Sequence, residues 1–150
     1  MTPNLKPSQR IALVGVIDPD AYTAATYTTA WISAASAGAF MAMVSVGTMA
    51  ATSTINAKFE QATNVSGAGA KDITGKAIVE LTAAGTDSDK QAIINLRPAE
   101  LDIENAFTHF RLAMVVAAAA SDAAAFVFSL DHRYGPADLR DLASVDEVVG

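Results

Sequence analysis

The segment at residues 54–61 alternates strictly between apolar and polar residues, and this pattern constrains the fold more than any other feature of the chain. Successive side chains of a β-strand point to opposite faces, so a period of two predicts an antiparallel strand with one face buried. We therefore expect a sheet that packs against a core. The predicted inward residues are Ile55, Ala57 and Phe59, and the predicted outward residues are Thr54, Asn56, Lys58 and Glu60.

Other segments add strands to this one. Residues 22–33 have a β-favouring mixture of Thr, Tyr, Trp and Ile. Residues 40–46 predict a strand with Ala42, Val44 and Val46 on one face. The remaining predicted strands are residues 11–17, ended by a turn at Asp18, Pro19 and Asp20; residues 77–82 and 90–97, joined by a hairpin-like connection at 85–89; and residues 126–131, with Phe126, Phe128 and Leu130 inward.

Residues 101–120 fit two patterns. Phe107, Phe110 and Met114 lie at helical spacing, and the alanine run supports a helix. A strand would instead place Phe110, Met114 and Val116 on one face with Leu112. The neighbouring predicted strands and the β-branched Val115 and Val116 favour the strand.

Several short strands separated by turn signals are typical of a sandwich or barrel. We predict an all-β, single-domain antiparallel β-sandwich that is jelly-roll-like and spans residues 11–132. An extended N-terminal arm at residues 1–10 precedes it, and a C-terminal tail at residues 133–150 follows it. A length of 150 residues suits one domain, which buries a core without cross-links.

Composition excludes several classes of function. The chain has no cysteine, so disulfides and thiolate metal sites are excluded. Charged residues make up 17% of the chain, below the roughly 25% of soluble domains, which suits a protein covered by neighbouring subunits. The net charge is −6 and the basic residues are scattered, whereas nucleic-acid binding needs clustered Lys and Arg. We expect no nucleic-acid partner.

A membrane role is also disfavoured. No charge occurs between Asp20 and Lys58, and residues 30–51 are long enough to span a bilayer. Ser33, Gly38 and Ser45 interrupt that stretch, and basic residues do not flank it. The apolar run at residues 11–17 ends without a small-residue cleavage site, so we expect neither secretion nor membrane insertion.

Motifs for chemistry are weak. His132 and Asp131 could belong to a catalytic triad with a serine, but adjacent side chains on a strand point to opposite faces and the nucleophile motif GxSxG is missing. The two histidines, His109 and His132, fall far short of a zinc signature. We expect no catalytic residue, no metal site and no cofactor, and we expect that the protein is not an enzyme.

Two acidic or glycine-rich loops have similarly plain explanations. The run from Gly67 to Lys71 lacks the P-loop pattern, and the charge of Asp72 would repel phosphate. Asp87 and Asp89, like Asp102 and Glu104, could bind calcium, but the further oxygen ligands of a calcium loop are missing. Solvated turns are the better interpretation of these residues.

The central sequence carries a resemblance. The runs INAKFEQATN (residues 55–64), SGAGAKDITGKAIVELT (66–82), KQAIINLR (90–97) and FRLAMVV (110–116) resemble a family of small tailed-phage virion proteins encoded near the major capsid protein. The similarity covers roughly residues 31–130, and the tail after Arg133 lies outside it. The resemblance implies a virion component, most simply a capsid decoration (cement) protein on the capsid exterior. It also implies assembly in the bacterial host cytoplasm, with the major capsid protein and copies of the chain itself as partners.

Three alternatives remain. A head–tail connector or tail ring protein fits the same resemblance. A carbohydrate- or receptor-binding β module would place aromatic residues on loops. A hydrolase ranks last. For the decoration role, polarity and position predict contacts through the arm and the tail, with the loop at residues 64–75 a weaker candidate. The predicted interface residues are Leu5, Lys6, Arg10, Leu139, Leu142, Val145 and Val148.

Overall fold

A computed structural model describes residues 4–150 and shows an all-β chain, which confirms the predicted fold class. Short 3₁₀ helices lie at Pro7–Gln9, Ala34–Ser36, Pro98–Glu100, Ile103–Asn105 and Ala137–Arg140. The strands are β1 (Ile11–Tyr22), β2 (Ala25–Thr28), β3 (Ile32–Ser33), β4 (Ala37–Met49), β5 (Thr54–Ala62), β6 (Lys71–Ala77), β7 (Leu81–Thr82), β8 (Gln91–Leu96), β9 (His109–Ala117) and β10 (Ser121–His132).

The strands pair as one long hairpin that has been rolled up. β1 pairs with β10, β2 with β9, β4 with β8, and β5 with β6, and each pair is antiparallel. Successive pairs fall alternately into two sheets, of order β1-β10-β4-β8 and β2-β9-β5-β6, with β3 and β7 attached to the second. Pairing of β10 with β4 joins the two strand pairs of the first sheet, and pairing of β9 with β5 joins those of the second. This is the jelly-roll arrangement of an antiparallel sandwich.

The core lies between the sheets and is centred on three phenylalanines. Phe40 comes from the four-stranded sheet, and Phe59 and Phe110 come from the other. The ring centroids of Phe40 and Phe110 are 4.6 Å apart, those of Phe59 and Phe110 are 5.4 Å apart, and both pairs meet edge to face. That geometry adds about 0.5–1.5 kcal/mol per pair beyond the burial of area.

The clearest sequence patterns are confirmed. In β5, Ile55, Ala57 and Phe59 are fully buried and the intervening residues are part-exposed. The ambiguous segment forms a strand, β9, whose Phe110 and Met114 face the core. The 3₁₀ helix Ile103–Asn105 and a turn precede it, so only the second half of that segment is extended.

The turn predicted at Asp18, Pro19 and Asp20 is wrong. β1 continues through these residues to Tyr22, and a register shift between Ile17 and Asp20 absorbs them. β1 is an edge strand, and Pro is tolerated there and at bulges because its missing N–H breaks no essential ladder bond. The bulge explains why a strong turn signal did not end the strand.

Three predictions between residues 64 and 97 are also wrong. The loop is shorter than residues 64–75, because β6 begins at Lys71, and the strand predicted at 77–82 is displaced into β6 and the two-residue β7. The hairpin through residues 85–89 does not form, because β7 pairs with β5 in one sheet and β8 pairs with β4 in the other. Turn residues marked the connection correctly but did not show that it crosses between sheets.

The face assigned to β10 was inverted. Ala123, Ala125 and Val127 face the core, while Phe126, Phe128 and their neighbour Leu130 lie on the opposite side and are part-buried. Phenylalanines across the core already fill the interior, so the inner side of this central strand accommodates small residues. The large residues of β10 therefore lie on the outside of the sandwich.

Candidate interaction surface

The outer side of the four-stranded sheet is largely apolar on β1, β10 and β4, and β8 adds Ile93 between the polar Gln91 and Asn95. Direct register places Phe128 beside Leu13 on one side and beside Met41 on the other, and places Phe126 beside Met43. These side chains do not belong to the core between the sheets. We define the outer face as Ile11, Leu13, Val16, Met41, Met43, Ile93, Phe126, Phe128 and Leu130.

The outer face is open to solvent at both edges. Ile11 on β1 is 41% exposed and Ile93 on β8 is 57% exposed, while the central residues are part-buried by each other. The rings of Phe126 and Phe128 stack with centroids 6.4 Å apart. The largest apolar patch on a soluble protein is often functional, so this face is a candidate interaction surface.

The outer side of the other sheet has the opposite character. Arg111 Nε donates to Glu60 Oε2 at 2.8 Å, and Lys58 Nζ donates to Asp72 Oδ1 at 2.7 Å. The Asp72 hydrogen bond raises the pKa of Lys58, against a smaller opposing effect of burial. Charged cross-strand pairs suit a sheet that faces water. Of the two sheets, the four-stranded one therefore carries the more apolar outer side.

The two ends of the outer face differ in charge. Arg97 follows β8 on the same parity as Ile93, and Arg133 follows β10, so both lie at one end together with the acidic Asp131. Asp122 has the parity of Phe126 and lies at the other end, beside Gly47. Asp18 lies at that acidic end too, in the bulge of β1.

The structure brings the predicted arm and tail together near the start of β1. Residues 1–3 of the arm lie outside the described residues. Leu5 and Arg10 line a cleft of about 700 Å³ with residues that follow β10, among them Pro136. Lys6 lies beside Val149 at the end of the tail. In this region the predicted residues Leu142 and Val145 are part-buried, whereas Leu139 is 80% exposed and Val148 is 52% exposed.

The tail attaches to the open edge of β1. Leu142 N–H donates to the Leu13 carbonyl at 2.9 Å, and Leu13 N–H donates to Asp141 Oδ1 at 2.7 Å. The 3₁₀ helix Ala137–Arg140 precedes these contacts and buries Ala137 completely. The tail thus satisfies backbone groups of an edge strand that would otherwise attract another chain.

The loop at the tip of the rolled hairpin, between β5 and β6, is fixed against Trp31. A Cβ on Gly67 would lie 2.5 Å from the indole Nε1, so the backbone of the loop touches the ring. The Arg111 guanidinium lies 4.5 Å from the ring centroid of the indole. Inside the loop, Asn64 Oδ1 accepts from the Ser66 and Ala68 N–H groups. Trp31 therefore serves as an anchor for this loop.

Two of the acidic residues considered as calcium ligands, Asp87 and Asp102, form ion pairs with lysines. Lys71 Nζ lies 2.5 Å from Asp102 Oδ2, and this hydrogen bond, with a second one from Asn105, lowers the pKa of Asp102. Lys90 donates to Asp87 at 2.8 Å and lowers the pKa of that carboxyl, helped by the Thr82 N–H. Residues 4–150 contain no cluster of three or more His, Asp or Glu that could hold a metal ion.

The residues considered for nucleophilic catalysis do not form a triad. His132 Nε2 lies 3.2 Å from the Ser129 hydroxyl, but Ser129 is completely buried. His132 Nδ1 is buried without a hydrogen-bond partner, so no carboxylate orients the ring. Asp131, the acid of the considered triad, is exposed at the end of the strand.

Within the described part of the chain, no helix is long and apolar enough to cross a membrane.

Sequence reasoning missed the outer face. It assigned Phe126, Phe128 and Leu130 to the core. A signal was present, since residues 123–130 are apolar at nearly every position and so cannot be a strand with one solvated face.

Comparison with known proteins gives matches in structure alone: no family model and no curated protein sequence matches the chain. A protein of the T13 particle of infectious bursal disease virus superposes with a TM-score of 0.51 and 13% identity, over 93% of this chain and 36% of that one. A protein of broad bean stain virus gives a TM-score of 0.44, 12% identity and 91% coverage of both chains. A protein of cowpea mosaic virus gives a TM-score of 0.42 and 11% identity, over 91% of this chain and 89% of that one.

These structural neighbours are viral capsid proteins, and the chain spans about a third of the length of the infectious bursal disease virus proteins it matches. At such low identity the likeness establishes the fold: a jelly-roll sandwich also used in virus capsids. The resemblance to a tailed-phage family stays a prediction.

Proposed function

We propose that this chain is a structural component of a virus particle, and that it is a capsid decoration (cement) protein of a tailed phage. The observation that carries the proposal is the apolar outer face, because a sheet that is apolar on both sides is built to be covered by a neighbouring subunit. The jelly-roll fold shared with viral capsid proteins supports the same class of function.

In this role the protein bridges neighbouring copies of the major capsid protein and resists the outward pressure of packaged DNA. The arm and tail supply the contacts to the shell, through the exposed Leu139 and Val148 and the residues beside them: Leu5, Lys6, Arg10, Leu142 and Val145. Burial of apolar area contributes about 25 cal/mol per Å² to each contact before the cost of association is subtracted, and the contacts add up because they repeat over the particle. The protein is then found in the virion after assembly in the bacterial cytoplasm.

Copy number tests the proposal. The ratio of this protein to the major capsid protein is measured by quantitative mass spectrometry of gradient-purified particles from the source phage. A ratio comparable to that of the shell protein supports decoration. A few copies per particle instead indicates a head–tail connector or tail ring protein, and absence from the particle refutes a virion role.

A binding experiment tests the contact residues. Particles that lack the protein are titrated with the purified chain and with Leu139→Asp and Val148→Asp variants. Val79→Asp is the matched control, since Val79 is 89% exposed and lies between β6 and β7, outside the arm and tail. We expect the tail variants to bind more weakly than the control. Equal binding of all variants would remove the tail from the contact.

A further inference from the structure

We propose that a second copy of this chain covers the outer face, with the two four-stranded sheets packed face to face and their strands antiparallel across the interface. The inference deepens the structural role proposed above and rests on it only in assuming that the outer face is covered by protein. It assigns the self-association of the chain to one surface and one orientation.

The size of the outer face fits a specific contact. Four strands about 4.8 Å apart, with five residues of β10 at about 3.4 Å each, give a face of roughly 300 Å² that is apolar except at Asn95 on β8. This area lies at the lower end of the range found for the largest apolar patch on a monomer, and such a patch is often functional. A standard interface buries about 800 Å² per partner, so the apolar centre needs its charged ends to reach that size.

The chemistry of the centre favours a like surface as partner. Its apolar side chains, such as Phe128, Met41 and Ile93, carry no hydrogen-bonding group that a partner must satisfy. Asn95, beside Met41, is the polar side chain among them. Its amide both donates and accepts, so the same side chain on a second copy can satisfy it. Sheets also pack face to face at about 10 Å with closely aligned strands, so a flat sheet is a natural partner for this one.

The charges at the ends fix the orientation. A two-fold axis perpendicular to the strands places the end with Arg97 and Arg133 over the end of the partner copy with Asp18 and Asp122. An axis along the strands would instead place the acidic ends over each other, which costs energy. Because the chain has a net charge of −6, the antiparallel arrangement is the one that offsets general repulsion locally. The same surface is used by both copies, as two-fold symmetry requires.

Sedimentation velocity of the purified full-length chain, over a range of concentrations, tests the contact. We expect a concentration-dependent dimer. Ile93→Glu, which adds a charge at an exposed position of the outer face, should weaken dimerisation roughly tenfold or more, because each dimer contains the substitution twice. Val79→Glu is the matched control and should dimerise like the unsubstituted chain. If Ile93→Glu loses its β-sheet circular dichroism, Ile11→Glu on the opposite edge strand replaces it.

Charge exchange tests the orientation. Arg133→Glu and Asp122→Arg should each weaken the dimer, because the axis places the two ends of β10 over each other. The doubly substituted chain should recover most of the loss, because opposite charges again meet across the two-fold axis. Failure to recover would overturn the antiparallel arrangement.

Two further outcomes separate this inference from the virion role. A chain that is monomeric at all concentrations, but whose binding to particles is lost in Ile93→Glu, would refute the dimer and assign the outer face to the shell. A dimer that dissociates in Ile93→Glu, from a protein absent from particles, would sustain this inference and refute the virion role.

Discussion

Replacing Gly67 by Ala should destabilise the protein through the contact between the loop and Trp31. Gly67 has φ of +81°, in the left-handed region, and its missing side chain leaves room for the indole. The added Cβ would lie 2.5 Å from Trp31 Nε1 and 2.9 Å from Cε2, closer than van der Waals contact allows. Either the loop or the ring must move.

The cost has two parts. An L-residue in the left-handed region costs about 1–2 kcal/mol relative to glycine. Overlap with a ring that cannot move freely adds about 1–3 kcal/mol. The ring is held because Arg111, itself bonded to Glu60, lies over it. We therefore expect Gly67→Ala to lower the free energy of unfolding by roughly 2–5 kcal/mol, which lowers Tm by about 5–15 °C in a chain of this size.

Gly69→Ala separates the two parts. Gly69 also has a positive φ, +65°, but a Cβ there would approach no atom closer than 3.8 Å. It should therefore cost only the conformational part, about 1–2 kcal/mol. Urea unfolding followed by circular dichroism gives both free energies, and fluorescence of Trp31, the single tryptophan, reports on the ring itself. Equal destabilisation by the two substitutions, with unchanged fluorescence in Gly67→Ala, would refute the anchoring of the loop by Trp31.

Three further predictions concern the core and the surface ion pairs. Ser53 and Ser121 are buried and hydrogen-bonded to each other, so replacing either one by Ala should cost about 1–3 kcal/mol by leaving its partner unpaired, and replacing both should cost less than the sum of the two single changes in urea unfolding. Phe110→Ala removes the ring that contacts two others in the core and should cost about 3–5 kcal/mol in the same assay. The lysine hydrogen bonds hold the pKa values of Asp87 and Asp102 below their unfolded values. The stabilisation that these carboxylates provide is therefore present above about pH 4 and is lost as the pH falls through their folded-state pKa values. The urea midpoint of unfolding should fall in that acid range, and it should fall less in Asp102→Asn.

The sequence predicted best where one side of a strand faces water. In β5 the outward Lys58 and Glu60 alternate with the inward Ile55 and Phe59, and the period of two is plain. β9 was harder, because its outward side includes Ala113 and Val115, which face the polar sheet surface without being polar. Its assignment as a strand depended on the neighbouring segments.

Long-range pairing could not be predicted from local signals. Pro19 is a strong turn residue, yet it lies in a bulge because β1 pairs with β10 more than a hundred residues away. The turn at residues 85–89 was located, but its strands separate into different sheets, since each finds its partner across the rolled hairpin. The position of the outer face depends on the same pairing, because no single strand contains it.

β10 has a composition that only a layered assembly explains. It is the central strand between β1 and β4, and its inner side carries Ala125 and Val127 while its outer side carries Phe126 and Phe128. Strands that are apolar on both sides are typical of sheets covered on both faces. The second sheet of this chain covers one face of β10, and aromatic side chains of the kind enriched at protein interfaces lie on the other. Because the same chain gives its other sheet a charged outer side, the difference between the sheets indicates a difference in what covers them. A second copy on the outer face would bury β10 on both sides, as its apolar sequence predicts.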